Sequence, residues 1–227
     1  MNALVSAAHG AARGVANDAA IGALRGTTHA ALQDRREEWL PARRAAAMQA
    51  LVAAGSDRLL LADGRCARLR PVRPDDAQAE QSFVMALSAP SRRSRFHGAL
   101  KQLPAAVLAQ MTAVDFDQHV ALVAEAGCDD GAARLVADAR YIRTEAAGSE
   151  AGSAEFALAV ADDWQGLGLG RALLQRLVVH ARASGLGRLH GRILVGNSPM
   201  LALVRRLGAR LRNDPYDATI VQAILAL

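Results

Sequence analysis

Ala154-Glu155-Phe156-Ala157-Leu158-Ala159-Val160-Ala161-Asp162-Asp163-Trp164-Gln165-Gly166-Leu167-Gly168-Leu169-Gly170-Arg171 is the stretch that decides the fold. Its first half reads as a strand from Ala154 to Ala161. The glycines then alternate, and a helix runs to about Ala183 with Leu173, Leu174, Leu177, Val178 and Ala181 on one face. A strand, a glycine turn and a helix in that order point free backbone N–H groups at an anion, and glycine lets the anion come close. A pyrophosphate is the natural ligand.

Three phosphate-binding patterns compete for this turn. The mononucleotide loop needs Gly-Lys-Ser/Thr, whereas Arg171-Ala172 follows Gly170. The dinucleotide fingerprint would put its third glycine at Arg171 and an acidic residue about 20 positions on, inside a stretch that has none. The third pattern, Gln/Arg-x-x-Gly-x-Gly/Ala, fits Gln165-Gly166-Leu167-Gly168-Leu169-Gly170 and resembles the coenzyme A pyrophosphate loop of GNAT superfamily acetyltransferases. Asn197-Ser198-Pro199-Met200, followed by Leu207-Gly208, is similar to a second GNAT signature. Leu69 to Asp76, Ser91 to Gly98, Ala154 to Ala157 and Asp162 to Gly166 resemble the catalytic domain of bacterial protein lysine acetyltransferases.

Outward from the turn, Leu59 to Leu61 and Cys66 to Leu69 flank Ala62-Asp63-Gly64-Arg65, which predicts a hairpin with Asp-Gly at its tip. Pro74-Asp75-Asp76 opens a helix to about Leu87, and Pro104 to Val114 reads as another. Val120 to Glu125 and Arg134 to Arg143 alternate as antiparallel strands. Arg188 to Val195 is a strand, Ser198 caps a helix through Leu207, and Arg210 to Asn213 and Ala218 to Leu227 are the last strands. The fold class is α+β with mixed α/β character. The resemblance implies the GNAT fold, a mostly antiparallel sheet of six to seven strands flanked by helices. Residues 1–31 read as a flexible leader, 32–57 as a helical extension and 58–227 as the acetyltransferase domain.

The totals narrow the function classes. No stretch of about 18 uncharged apolar residues occurs. Lys101 is the only lysine among 27 basic residues, and from Trp164 to Asn213 nine arginines occur with no Asp or Glu. A field of one sign favours an anionic ligand. Aromatic residues are 4% of the chain and do not interleave with the basic stretch, so nucleic acid is disfavoured. Cys66 and Cys128 show neither metal-ligand spacing nor a disulfide framework, which suits a reducing cytoplasm and predicts no metal.

The resemblance implies transfer of an acetyl group from acetyl-CoA to a primary amine, most naturally a protein lysine. Glu155 would be the general base, with Asp138, His119 and Tyr141 as substitutes. The backbone of Leu158, Ala159 and Val160 would hold the thioester carbonyl and the pantetheine amides. Gln165 and the N–H groups of Gly166, Leu167, Gly168, Leu169, Gly170 and Arg171 would hold the pyrophosphate, with Arg176 and Arg205 within reach, and Asn197 would sit beside the pantetheine arm. Val204 stands where many GNAT enzymes carry a tyrosine acid, so solvent would protonate the departing thiolate. A small-molecule amine acceptor and a non-catalytic acyl-CoA sensor are the alternatives.

Overall fold

The computed structural model describes residues 58–98, 100–127, 134–144 and 152–227. The leader and the helical extension expected at 1–57 lie outside the described residues.

Among the described residues one sheet of eight strands runs in the order β1-β2-β3-β4-β5-β6-β8-β7. The strands are β1 (Arg58–Leu60), β2 (Cys66–Pro71), β3 (His119–Ala126), β4 (Leu135–Thr144), β5 (Gly152–Val160), β6 (Leu186–Leu194), β7 (Arg210–Asn213) and β8 (Ile220–Ala226). Every neighbouring pair is antiparallel except β5 and β6. This is the fold expected from the sequence, with the predicted Asp-Gly hairpin supplying β1 and eight strands in place of six to seven.

The helices are α1 (Ala77–Ala86), preceded by a 3-10 turn over Pro74–Asp76, then α2 (Ala89–Phe96), α3 (Ala105–Thr112), α4 (Leu169–Ala183) and α5 (Ser198–Arg206). α4 and α5 cover one face of the sheet and α1 to α3 the other. On α4, Leu169, Leu173, Leu174, Leu177 and Ala181 are all 1% exposed or less. Burying each leucine contributes about 1.5–3 kcal/mol, so the amphipathic stripe read from the sequence seats this helix on the sheet.

Two local features depart from the sequence reading. The helix α2 was not expected. Ser88 caps it by accepting from the Ser91 N–H at 3.3 Å, with Pro90 in the first turn. Its Ser-Arg-Arg-Ser-Arg core is too polar to show a 3.6-residue hydrophobic period. Cys66 is disulfide-bonded, where the sequence reading expected no disulfide framework. The chain's second cysteine, Cys128, lies outside the described residues.

Candidate active site

The β5–α4 turn has the backbone an anion site requires. Gly166 and Gly168 take φ of 75° and 94°, left-handed values that a side chain disfavours. Gly168 is the N-cap of α4 and no side chain satisfies the first-turn N–H groups there. Those donors and the positive end of the helix dipole therefore face outward together. Gly170 does something different. A Cβ there would sit 3.2 Å from Leu158 Cδ2 and 3.5 Å from Val160 Cγ2, so its absence lets α4 pack closely on β5.

The sheet opens where this turn begins. β5 pairs with β6 only over Gly152–Glu155, the last pair being Glu155 with His190. Beyond it β5 continues along β4 to Val160, while β6 follows β8 to Leu194. From Phe156 to Val160, then, one backbone edge of β5 has no strand partner. A cavity lies in this splay, lined among others by Ser94, Arg95, Ala157, Leu158, Arg192 and Asn197. The open edge offers unpaired amide groups to an extended ligand, as a missing strand would use them. Glu155 stands at the apex, half-buried, and shares a sheet face with Ile142 and His190.

The comparisons agree with this geometry. The pattern of the Acetyltransferase (GNAT) family matches residues 99–209. The chain is 38% identical over 167 residues to Acetyltransferase PA5475 of Pseudomonas aeruginosa, covering 74% of this chain and 87% of that protein. The chain belongs to the GNAT acetyltransferase family. It is also 34% identical to Acetyltransferase Pat of Mycolicibacterium smegmatis over 62% of its own length, spanning 40% of that longer protein. The GNAT domain of S. lividans PAT superposes with a TM-score of 0.68 at 30% identity, over 75% of this chain and 96% of that one.

The turn and the open β5 edge of this GNAT domain suit acetyl-CoA, the thioester that the family uses. The uncapped N–H groups at the start of α4 and the strand edge from Phe156 to Val160 are the features that its diphosphate and pantetheine amides would require. Gln165, expected to hold the pyrophosphate, is exposed in the turn. Its side-chain amide donates inward to the Val160 carbonyl at 3.0 Å and to Ser91 Oγ at 3.3 Å, which shapes the turn. Asn197 caps α5, accepting from the Met200 N–H at 3.2 Å in place of the expected Ser198, and it still lines the cavity. Arg171 and Arg205 are exposed, and Arg176 donates to the Ala172 carbonyl at 3.2 Å. Val204 is fully buried on α5, so this position supplies no acid to a leaving thiolate.

None of the substitute bases is suited to the work. Asp138 is 1% exposed; burial acts to raise its pKa, but ion pairs with Arg140 and Arg95 bring it down to about 2. His119 is held near 4, chiefly by burial and then by the Arg140 charge, and its Nε2 lies 3.2 Å from Arg140 Nη1. Tyr141 is on the opposite face, where burial pushes it up to about 12 and its hydroxyl meets His180 Nδ1 at 2.8 Å.

Sequence reasoning missed what braces the site. Asp162 Oδ2 accepts from the Ser88 N–H at 2.8 Å, and its Oδ1 accepts from Ser88 Oγ and Ser91 Oγ at 2.7 Å each. On the other side, the Arg65 guanidinium lies 4.4 Å over the Trp164 ring and donates to the Asp163 carbonyl at 2.7 Å. The hairpin tip and α2 thus grip the same lead-in from two directions. Ser88 with Pro90 carried a capping signal in the sequence; the Arg65–Trp164 pair, 99 positions apart, carried none.

Proposed function

We propose that this domain acetylates lysine side chains of proteins, with Glu155 as the general base. The observation that carries this reading is the position of Glu155 at the last β5–β6 pair, where the open edge begins. A thioester carbonyl held on that edge lies beside the carboxylate. A lysine amine with an unperturbed pKa near 10.4 must lose a proton before attack, at about 4–5 kcal/mol at pH 7. A base at the apex, directly or through water, takes that proton as the nitrogen attacks. Backbone N–H groups of β5 stabilise the charge that develops on the carbonyl oxygen. Solvent protonates the thiolate, since Val204 offers no acid. The likeness to Acetyltransferase Pat supports a protein acceptor.

The test is turnover of lysine peptides with acetyl-CoA by the Glu155→Gln variant. Turnover falls by about 10²–10⁴, the usual contribution of a general base, while acetyl-CoA still raises the melting temperature. Undiminished turnover in that variant removes Glu155 from the role, and failure of every lysine peptide removes the acceptor.

A further inference from the structure

Phosphate recognition at the N-terminus of α4 does not account for every arginine in the acid-free stretch. Side chains alternate along β6. Leu189 and Ile193 are buried in the core, and a Cβ at Gly191 would meet the Phe156 ring on the α4 face. His190 and Arg192 therefore face the other way, toward the side that carries Glu155. The register agrees, since Glu155 lies opposite His190, and Arg192 lies opposite Gln222 with Arg212 beyond it.

Arg192 lines the cavity at the splay, across from Arg95 on α2. The two guanidinium groups differ in how they are held. Arg95 is 4% exposed and paired with Asp138 at 3.3 Å. Arg192 pairs with Asp214 at 3.8 Å, with the Asp217 charge also in range, and that same Asp214 oxygen accepts from Gln222 Nε2 at 2.8 Å. The Arg192 Nε is buried and has no hydrogen-bond partner among the described residues. By contrast, Arg70 is clamped between Asp76 and Glu125, and Arg140 touches Asp138, Glu80 and the Met111 carbonyl. Arg192 is thus a cation on the cavity lining whose Nε has no hydrogen-bond partner among the described residues.

The adjoining groove extends this character. It holds about 560 Å³ and is lined by Pro90, Arg93, Leu194, Val195 and Thr219, among others. No Asp or Glu lines either the cavity or the groove among the described residues. A polycationic amine entering here meets the like charges of Arg93, Arg95 and Arg192 along the lining.

The geometry points to Arg192 as a specificity-determining residue that binds a carboxylate carried beside the acceptor amine. The acceptor class is a lysine with Asp or Glu within one or two positions of it. This inference rests on the lysine-acetylation reading above. Glu155 and Arg192 are separated by one interstrand spacing and one two-residue repeat, at least about 8 Å. That span suits an extended lysine whose ammonium reaches Glu155 while a neighbouring side-chain carboxylate stays at the mouth. The contact is a charge-assisted hydrogen bond in a partly dried cleft, consistent with about a tenfold preference.

The experiment compares kcat/KM for short peptides of one design, Asp-Lys-Asp against Ala-Lys-Ala and Lys-Lys-Lys, with saturating acetyl-CoA. The wild-type enzyme should favour the acidic peptide over the neutral one by about tenfold. The ratio should fall to about one in Arg192→Gln and be partly restored in Arg192→Lys. Because the readout is a ratio within each variant, a loss of folded enzyme cancels. A wild-type ratio within twofold of one, or a ratio that Arg192→Gln leaves intact, overturns the inference while lysine acetylation stands. If no peptide is acetylated, the lysine reading fails, and calorimetry of the same peptides on the coenzyme A-bound enzyme decides the present one. Tighter binding of the acidic peptide that Arg192→Gln abolishes supports it, and equal binding overturns it.

Discussion

Asp162 holds Ser88 by both of its polar groups, accepting from the Ser88 backbone N–H at 2.8 Å and from its hydroxyl at 2.7 Å. The pair joins the first residue after β5 and Ala161 to the cap of α2, so the lead-in to the glycine turn and the helix that contributes Ser94 and Arg95 to the cavity are tied together. These bonds keep the Asp162 carboxyl below its ordinary pKa, although partial burial acts to raise it. Asp162→Ala removes three acceptor contacts at an exposed position. The loss is about 1 kcal/mol, comparable to losing a helix cap, or about 3 °C in melting temperature. The KM for acetyl-CoA should rise by more than this small loss of stability suggests, because the turn loses its brace. An Asp162→Ala enzyme with wild-type KM and melting temperature would show that α2 and the turn are independent.

Gly168 is a position where the turn resists substitution. Its φ of 94° lies where a Cβ is strained, even though no atom stands within 4 Å of the space a Cβ would fill. Gly168→Ala therefore acts through the backbone alone, costing about 1–2 kcal/mol. The expected outcome is a weakened thermal shift with acetyl-CoA, as the α4 donors swing from the diphosphate. Titration by calorimetry checks it, and an unaltered affinity would count against the turn as the phosphate cradle.

Gly191 is constrained by packing. A Cβ there would come within 2.7 Å of Phe156 Cζ and 2.8 Å of its Cε1, at the base of the splay. The Phe156 ring is 3% exposed and has little room to retreat. Gly191→Ala should destabilise the domain by about 1–3 kcal/mol, the usual range for overpacking. Chemical denaturation measures this. Pairing Gly191→Ala with Phe156→Leu should recover part of the loss, since the smaller side chain vacates the contested volume.

The sequence made the catalytic half of the fold readable because its signals are local. The glycine turn, the α4 stripe and the Asp-Gly hairpin each encode geometry within a few residues. What escaped was long-range or polar. Helix α2 has arginines and serines where an apolar face would betray a helix, and it is fixed by Asp162, 74 positions from Ser88. Arg192 looked like one arginine in a basic run. Only the β6 register, which assigns it to the Glu155 face, distinguishes it from the phosphate side. Asn197 showed the opposite problem, since one residue both caps α5 and lines the cavity, and its sequence signal could not separate the two roles.

The buried histidine on α4 makes a pH prediction whose sign can be worked out. His180 is 1% exposed, and burial, followed by the Arg143 charge, lowers its pKa from 6.5 to about 4. Between those values the unfolded chain binds a proton at this position that the folded chain refuses. Its stabilising contribution is therefore complete above pH 6.5 and is lost as the pH falls toward 4. His119, also lowered to about 4, acts in the same direction. Glu80, raised well above 4.5 mainly by burial and then by the Asp138 charge, opposes them. A melting-temperature series from pH 8 to pH 4.5 in wild type and His180→Gln isolates the one contribution. The variant is expected to be less stable at pH 8, where Tyr141 loses its ring-nitrogen partner, and to lose less on acidification. Parallel curves for the two proteins would mean that His180 does not titrate in this window.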